Sequence, residues 1–322
     1  MPVPALSCGK TGITSLVLFA TLTLGCAHLS LEQYSLSVPG IPRSVELPSV
    51  PFYVQQDHYC GPAAMAMALE WTGVNITPQE LVPEIFTPSR QGSLQSALIA
   101  AARRHNRLAY PIKGRKALLT ELSAGHPLIV LQNLGLRCIP RWHYAVSIGY
   151  DMAKEVVILH SGEEAGRHVD WALFVRTWRR ADYWGLVVLP PGQVPASADE
   201  HSYLKAALGL EQAGQRQGAA RAYCGALDRW HSSLGALMGL GNCRYRLGDL
   251  IGAEQAFSHA AKAHPDCGAA FNNLAHVLAE QGRYAEAVEM ATRAVALGGA
   301  NKSLYLQTLR EIQDFGEAVP DW

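Results

Sequence analysis

Cys60 lies in the run Gln55-Gln56-Asp57-His58-Tyr59-Cys60-Gly61-Pro62. An apolar stretch, Gly61 to Trp71, follows and reads as a helix with Pro62 suited to its first turn. A thiol at a helix start faces unpaired backbone N–H groups and the positive end of the helix dipole, and both favour the nucleophilic thiolate. Much later in the chain, His143 opens a strand-like run, Arg141-Trp142-His143-Tyr144-Ala145-Val146. A cysteine on a helix start and a histidine on a sheet are the parts needed for acyl chemistry. The sulfur attacks a carbonyl carbon, and the imidazole takes the thiol proton and passes it to the leaving amine.

The elements that must position these groups are mixed. Helices are expected at 61–71, 94–105 and 116–124, with Ser93 as the N-cap of the second. Strands are expected at 128–131, 144–150, 155–159 and 185–189, with a hairpin loop at 151–154 and a short helix at 169–178. Helices first and an antiparallel sheet second is an α+β arrangement.

Two motifs carry a resemblance. Glutamine, four residues, Cys60-Gly61-Pro62-Ala63-Ala64, and then His143-Tyr144-Ala145-Val146-x-x-Gly149-Tyr150-Asp151, resemble the double-glycine, bacteriocin-processing peptidase family and its lipoprotein relatives. That resemblance covers about 50–189 and implies a papain-like cysteine peptidase fold. It implies Cys60 as nucleophile, His143 as base and then acid, and an upstream glutamine as oxyanion donor: Gln55, with Gln56 the alternative. The family places an aspartate at the end of the strand after the histidine, to orient the imidazole. Here that strand reads Val156-Val157-Ile158-Leu159-His160-Ser161-Gly162, with His160 at the aspartate's place.

If Tyr150 and Glu155 close the hairpin, His143 opposes Gly162 and His160 lies diagonally on the same face. A neutral imidazole accepts the ring N–H of His143 but does not stabilise imidazolium as a carboxylate does, so a slow enzyme, or one that has lost turnover, is expected. Protonation of His160 near the ordinary histidine value of about 6.5 is then expected to set an acid limit on activity. Asp151 sits in the turn, and Glu163 or Glu164 substitutes only under a shifted register. His58 is expected to line the cleft rather than act as base, and Trp142, Trp171 and Trp178 to lie in the core.

The last third is periodic. Gly214, Gly248 and Gly282 are spaced by 34 residues, as are Ala219, Ala253 and Ala287, and Ala226, Ala260 and Ala294. This period, with small residues where paired helices cross, is the signature of tetratricopeptide repeats, whose stacked helices offer a surface for a peptide or protein partner. Repeats are assigned to 200–233, 234–267 and 268–301, with a capping helix over 303–315. The expected fold is thus an α+β papain-like cysteine peptidase domain, 51–189, a linker, 190–199, and an all-α tetratricopeptide-repeat solenoid, 200–316.

The front of the chain reads as an address. Ile13 to Leu24 are twelve uncharged, mostly apolar residues after Lys10, too short for a bilayer-spanning helix but suited to a signal-peptide core. Leu22-Thr23-Leu24-Gly25-Cys26 resembles a bacterial lipobox, which implies cleavage after residue 25, lipidation of Cys26 and a tether over 26–50. Localisation to the cell envelope follows, at the periplasmic face of the outer membrane in a Gram-negative organism. The chain carries 27 Lys+Arg and 27 Asp+Glu, so there is no cationic excess to release counterions from a nucleic acid. No cysteine pair has CxxC spacing, and no cofactor or metal is expected. Cys224 and Cys243 lie on neighbouring repeat helices and are either a disulfide or two buried thiols.

Overall fold

The computed structural model describes residues 40–55 and 58–318, the side chains of 317 and 318 excepted. Its first unit is built on a seven-stranded antiparallel sheet. The strand order is β4 (Leu108–Lys113), β9 (Trp184–Leu189), β5 (Leu128–Asn133), β6 (Trp142–Asp151), β7 (Val156–Ser161) and β8 (Glu164–Asp170). A seventh strand, β1 (Ser44–Glu46), pairs with the far end of β6. Alternation splits the strands cleanly between two cores. Tyr144, Val146, Ile129 and Val188 face α1 (Cys60–Trp71), α2 (Pro78–Ile85) and α3 (Gln95–Arg104). Ala145, Val130, Val157 and Val187 face α4 (Arg115–Ser123) and α5 (Trp171–Arg179).

Several elements depart from expectation. Residues 44–46 are a sheet strand and Val50 is buried, so the end of the segment assigned as tether belongs to the folded domain. Helix α2 starts at a complete capping box, Thr77 with Glu80, and continues through Pro83. Strand β4 carries Pro111 in its middle, which it tolerates because it is an edge of the sheet. Strand β8 occupies most of a segment left unassigned by periodicity, and α5 begins at Trp171 rather than 169, capped by the Asp170 side chain. The N-cap of α3 is Leu94, not Ser93. A two-stranded ribbon, β2 (Phe86–Thr87) and β3 (Gly92–Ser93), borders α1.

The repeats follow as α6 (Glu200–Gln212), α7 (Arg216–Arg229), α8 (Leu234–Arg246), α9 (Leu250–Ala263), α10 (Gly268–Glu280), α11 (Tyr284–Leu297) and a last helix α12 (Lys302–Ala318). Gly214, Gly248 and Gly282 all take positive φ, between 77° and 80°, in the turns that join the two helices of each repeat. The buried Ala219, Ala253 and Ala287 lie at one position of successive second helices. Tyr203, Ala206 and Leu210 of α6 share the core of Leu108, Tyr110 and Leu189, so the first repeat packs on the sheet edge.

A buried carboxylate ties the linker to this junction. Glu121, with no exposed side-chain surface, accepts hydrogen bonds from Ser197 N (2.6 Å), Ser197 Oγ (2.5 Å), Ala196 N (3.2 Å) and His126 Nδ1 (2.7 Å). Burial alone raises its pKa, but the hydrogen bonds from His126 and Ser197 outweigh it and hold the carboxyl below its ordinary value. Glu121→Ala is expected to destabilise the chain by about 3 kcal/mol in urea unfolding, because it strands several buried donors at once. Since the folded pKa lies below the unfolded one, the wild-type contribution is complete above about pH 4.3 and disappears as pH falls through the folded value. The wild-type–variant difference should therefore be constant at neutral pH and shrink in acid. A difference under about 1 kcal/mol at pH 7 would show that the latch contributes little.

Candidate active site

Helix α1 delivers Cys60 as its first residue, and no side chain caps this end. Gly61 is required by packing: a Cβ there would lie 2.3 Å from Ser93 Oγ, so β3 approaches the helix only because residue 61 has no side chain. The backbone N–H groups of Tyr144, Gly61 and Cys60 favour the Cys60 thiolate. Tyr144 follows His143 on β6, so the start of that strand lies against the thiol. Cys60, His143, Gln55 and Ser161 all line one cleft of about 980 Å³. No hydrogen bond joins the Cys60 and His143 side chains.

The imidazole of His143 is held by Ser161, not by His160: His143 Nε2 and Ser161 Oγ are 2.8 Å apart, and Ser161 is buried. This corrects the expectation for His160. In the hairpin Asp151 pairs with Val156 and, beyond an irregularity between Ser147 and Gly149, Val146 pairs with His160. His160 therefore shares a face with Val146, whereas His143 belongs to the alternate set. The His160 ring is built into the core instead. Its Nε2 lies 3.1 Å from Val50 O, its Nδ1 accepts from Gly166 N at 3.0 Å, and Phe52 packs against it. It pins residues 50–52, the approach to Gln55, and does not reach His143. Asp151 caps its own turn, and Glu164 lies on the exposed β8 beside Arg167. Among the described residues no carboxylate contacts His143.

Gln55 and Gly162 exchange two hydrogen bonds, Gln55 N to Gly162 O (2.9 Å) and Gly162 N to Gln55 Oε1 (2.8 Å). With Oε1 committed as acceptor, the donor end of the amide is the other atom, Nε2, which is buried and has no partner. Gln56 lies outside the described residues. His58 lines the cleft with Nδ1 3.0 Å from Gln91 O. Trp171 and Trp178 are core residues, but Trp142 is 54% exposed on the cleft wall, contrary to expectation.

Burial pushes the Cys60 thiol up, despite the N–H groups of Tyr144, Gly61 and Cys60, so the helix start does not by itself make a thiolate here. Burial, with the guanidinium groups of Arg167 and Arg141 beside it, brings His143 down to about 4. The resting pair is thus a neutral thiol and a neutral imidazole at pH 7. His160 is also shifted down by burial, which removes the basis for an acid limit set near 6.5. Iodoacetamide labelling of Cys60 is expected to rise with pH, with its midpoint above the ordinary thiol value of about 8.5. A midpoint below about 7.5 would mean that a thiolate–imidazolium pair forms in the free protein.

Ser161 is the residue that sequence reasoning missed; its signal, a hydroxyl beside His160 at the strand end, depended on the register. The five cysteines in the described residues, Cys60, Cys138, Cys224, Cys243 and Cys267, are free, so Cys224 and Cys243 are separate thiols. Among the described residues no group of three or more His, Cys, Asp or Glu could hold a metal ion. Cys26 and the lipobox-like segment lie outside the described residues. No helix in the described residues is long and apolar enough to cross a membrane.

Residues 48–185 match the model of the Peptidase_C39 like family, and residues 204–262 and 252–302 match that of the tetratricopeptide repeat. Among solved structures, the chain is similar to a protein described as a C39-like peptidase from Bacillus anthracis, at 20% identity and a TM-score of 0.40, covering 46% of this chain and 98% of that one. It is also similar to the Yersinia enterocolitica type III secretion chaperone SycD solved with a peptide of the translocator YopD, at 23% identity and a TM-score of 0.33, covering 37% of this chain and 89% of that one. YrrB, a TPR protein with an unusual peptide-binding site, is similar at 24% identity and a TM-score of 0.33, covering 37% of this chain and 61% of that one. No curated protein matches the chain. Residues 48–185 thus make up a Peptidase_C39-like domain, and tetratricopeptide repeats follow it at the C-terminal end.

Proposed function

We propose that the chain is a cysteine peptidase that hydrolyses peptide bonds in the cleft of Cys60. The observation that carries this reading is the Gln55 amide, whose Nε2 is buried without a partner in the cleft that Cys60 and His143 also line. A buried donor left unpaired costs about 1–3 kcal/mol, and an oxyanion that forms only during reaction would recover it. Cys60 Sγ attacks the carbonyl carbon while its proton passes to His143 Nδ1, the ring nitrogen left by the bond from Nε2 to Ser161. The carbonyl oxygen takes up the electron pair and is bound by Gln55 Nε2–H. Collapse expels the amine, which leaves with the proton from His143, and water then cleaves the thioester by the reverse sequence. Entry of an amine in place of water would make the same site an acyltransferase. The test is mass spectrometry of a peptide library incubated with the chain. New termini that disappear after iodoacetamide treatment support hydrolysis by a thiol, and intact peptides under reducing conditions would overturn it.

A second reading, a peptidase fold that grips peptides without turnover, is favoured by the lack of a carboxylate on His143 among the described residues. Ser161→Asp separates the two. A carboxylate there raises the His143 pKa and stabilises imidazolium, so in a weak enzyme turnover should rise about tenfold or more and the pH profile should move. Neither should change in a binding protein.

The repeats are proposed to dock substrate or a protein partner. Between α8, α9 and α10 a pocket of about 230 Å³ is lined by Asn242, Tyr245, Phe257, Asn273, His276 and Val277, with Asn273 Nδ2 donating to Asn242 Oδ1 at 3.3 Å. Deleting the repeats is not a clean test, because α6 shares the sheet's core; loss of pull-down by Asn242→Ala with Asn273→Ala is. The lipobox-like segment supports export and lipid anchoring through Cys26, to be checked by the mass of the mature chain and its loss of lipid in Cys26→Ser.

A further inference from the structure

The charged groups around the cleft are unbalanced. Arg90, Lys113, Arg141, Arg167 and Arg180 line it, against the single carboxylate of Asp182. Asp57, beside Gln55 in sequence, lies outside the described residues, and counting it still leaves cations in excess. Two of the five are otherwise engaged: Lys113 pairs with Asp182, and Arg180 Nη1 donates to Asn133 O (3.3 Å) and to Gly135 O. Arg90 and Arg141 have no acidic partner among the described residues, and Arg167 meets only the exposed Glu164 at 3.6 Å.

Arg141 is placed rather than free to roam. It stands at the base of the loop between β5 and β6, where Asn133 Oδ1 accepts from both Gly135 N and Arg141 N at 3.0 Å and Leu134 N donates to Arg141 O at 2.8 Å. The same loop presents Leu134 and Trp142, 49% and 54% exposed, to the cleft. Arg141 and Arg167 line the same cleft as His143 and Cys60, and their charges add to the burial that depresses the protonation of His143.

We propose that the cleft selects acidic peptide segments, with Arg141 and Arg167 binding Asp or Glu side chains next to the cleaved bond and Leu134 and Trp142 covering an adjoining apolar residue. Concavity favours a peptide over a membrane: these cations flank the nucleophile inside a cleft, where low-dielectric walls concentrate their field on a chain lying across Cys60. This inference rests on the peptidase reading for its position on the substrate, but its test needs no turnover.

The test is alkylation of Cys60 in the full chain at pH 8, read by mass spectrometry of the peptide that carries it, with anionic iodoacetate and neutral iodoacetamide. The ratio of the two rates cancels the thiolate fraction and reports the local potential. At low ionic strength it is expected to exceed that of N-acetylcysteine amide by about tenfold and to fall with salt. Arg141→Glu with Arg167→Glu should abolish the excess, and Arg141→Lys with Arg167→Lys should keep it, which separates charge from shape. A dodecapeptide alternating Ala and Glu should protect Cys60 at a concentration about tenfold lower than its Ala–Gln counterpart. A ratio equal to that of the reference thiol, or equal protection by the two peptides, would overturn the proposal. So would slowing by phosphatidylglycerol vesicles without slowing by the Glu peptide, which would mark a lipid surface instead. Failure of the peptidase reading looks different: protection by the Glu peptide with no cleavage of it.

Discussion

Cys60→Ala is expected to reduce peptide cleavage by about a thousandfold or more, and the double variant with His143→Ala to lose no more than Cys60→Ala alone. The non-additivity follows from the geometry. His143 is neutral at pH 7, its Nε2 is taken by Ser161, and its remaining nitrogen has no work except on the proton of Cys60. Without the sulfur the imidazole has nothing to activate, so its removal should cost nothing further. If instead the two losses multiply, His143 acts on the substrate by itself, for example on a bound water, and the thiol is not the nucleophile.

Stability decides whether such a loss is chemical. Cys60 as a residue is partly exposed and a thiol is small, so alanine leaves a small gap rather than a large cavity, at a cost of about 1 kcal/mol. His143 likewise lies at the cleft rather than in the centre of either core. Both variants should therefore unfold close to wild type. A variant that keeps the wild-type melting curve and loses all cleavage identifies the chemical group; one that loses both says nothing about the site beyond its packing.

Much of this arrangement can be read from the residues, and the part that cannot has a physical cause. The 34-residue spacing of Gly214, Gly248 and Gly282 marks the turn inside each repeat, because the positive φ adopted there favours a residue without a Cβ. Cys60 ahead of Gly61-Pro62 marks a helix start, and the close approach of Ser93 explains why residue 61 has no side chain. The orienting residue was lost through parity. A strand has a period of two, so an error of one residue in the β6–β7 register exchanges His160 for Ser161 on the face of His143. The irregularity between Ser147 and Gly149 has no short-range signature strong enough to set that register. The resting ionisation of Cys60 failed for a different reason. A helix start predicts a lowered thiol, but the depth of the sulfur is a tertiary property, and burial wins. Strand β4 was hidden by Pro111, since a proline argues against a strand until the strand is known to be an edge.

Gln55→Ala is expected to lower kcat by about a hundred- to a thousandfold with little change in KM, the size measured when one oxyanion donor is removed. Two roles of Gln55 must be separated, because its Oε1 also accepts from Gly162 N, and Gly162 follows the Ser161 that holds His143. Gln55→Glu is the discriminating change. It keeps an oxygen for Gly162 and so keeps the turn, while replacing the Nε2 donor by an acceptor that repels a developing oxyanion. It should therefore be at least as slow as Gln55→Ala while keeping the wild-type fold, and its added carboxylate should slow iodoacetamide labelling of Cys60. If Gln55→Glu retains most activity while Gln55→Ala does not, the glutamine works by holding Gly162 and Ser161 in place. The oxyanion would then be bound by backbone donors, such as the uncapped N–H groups at the start of α1.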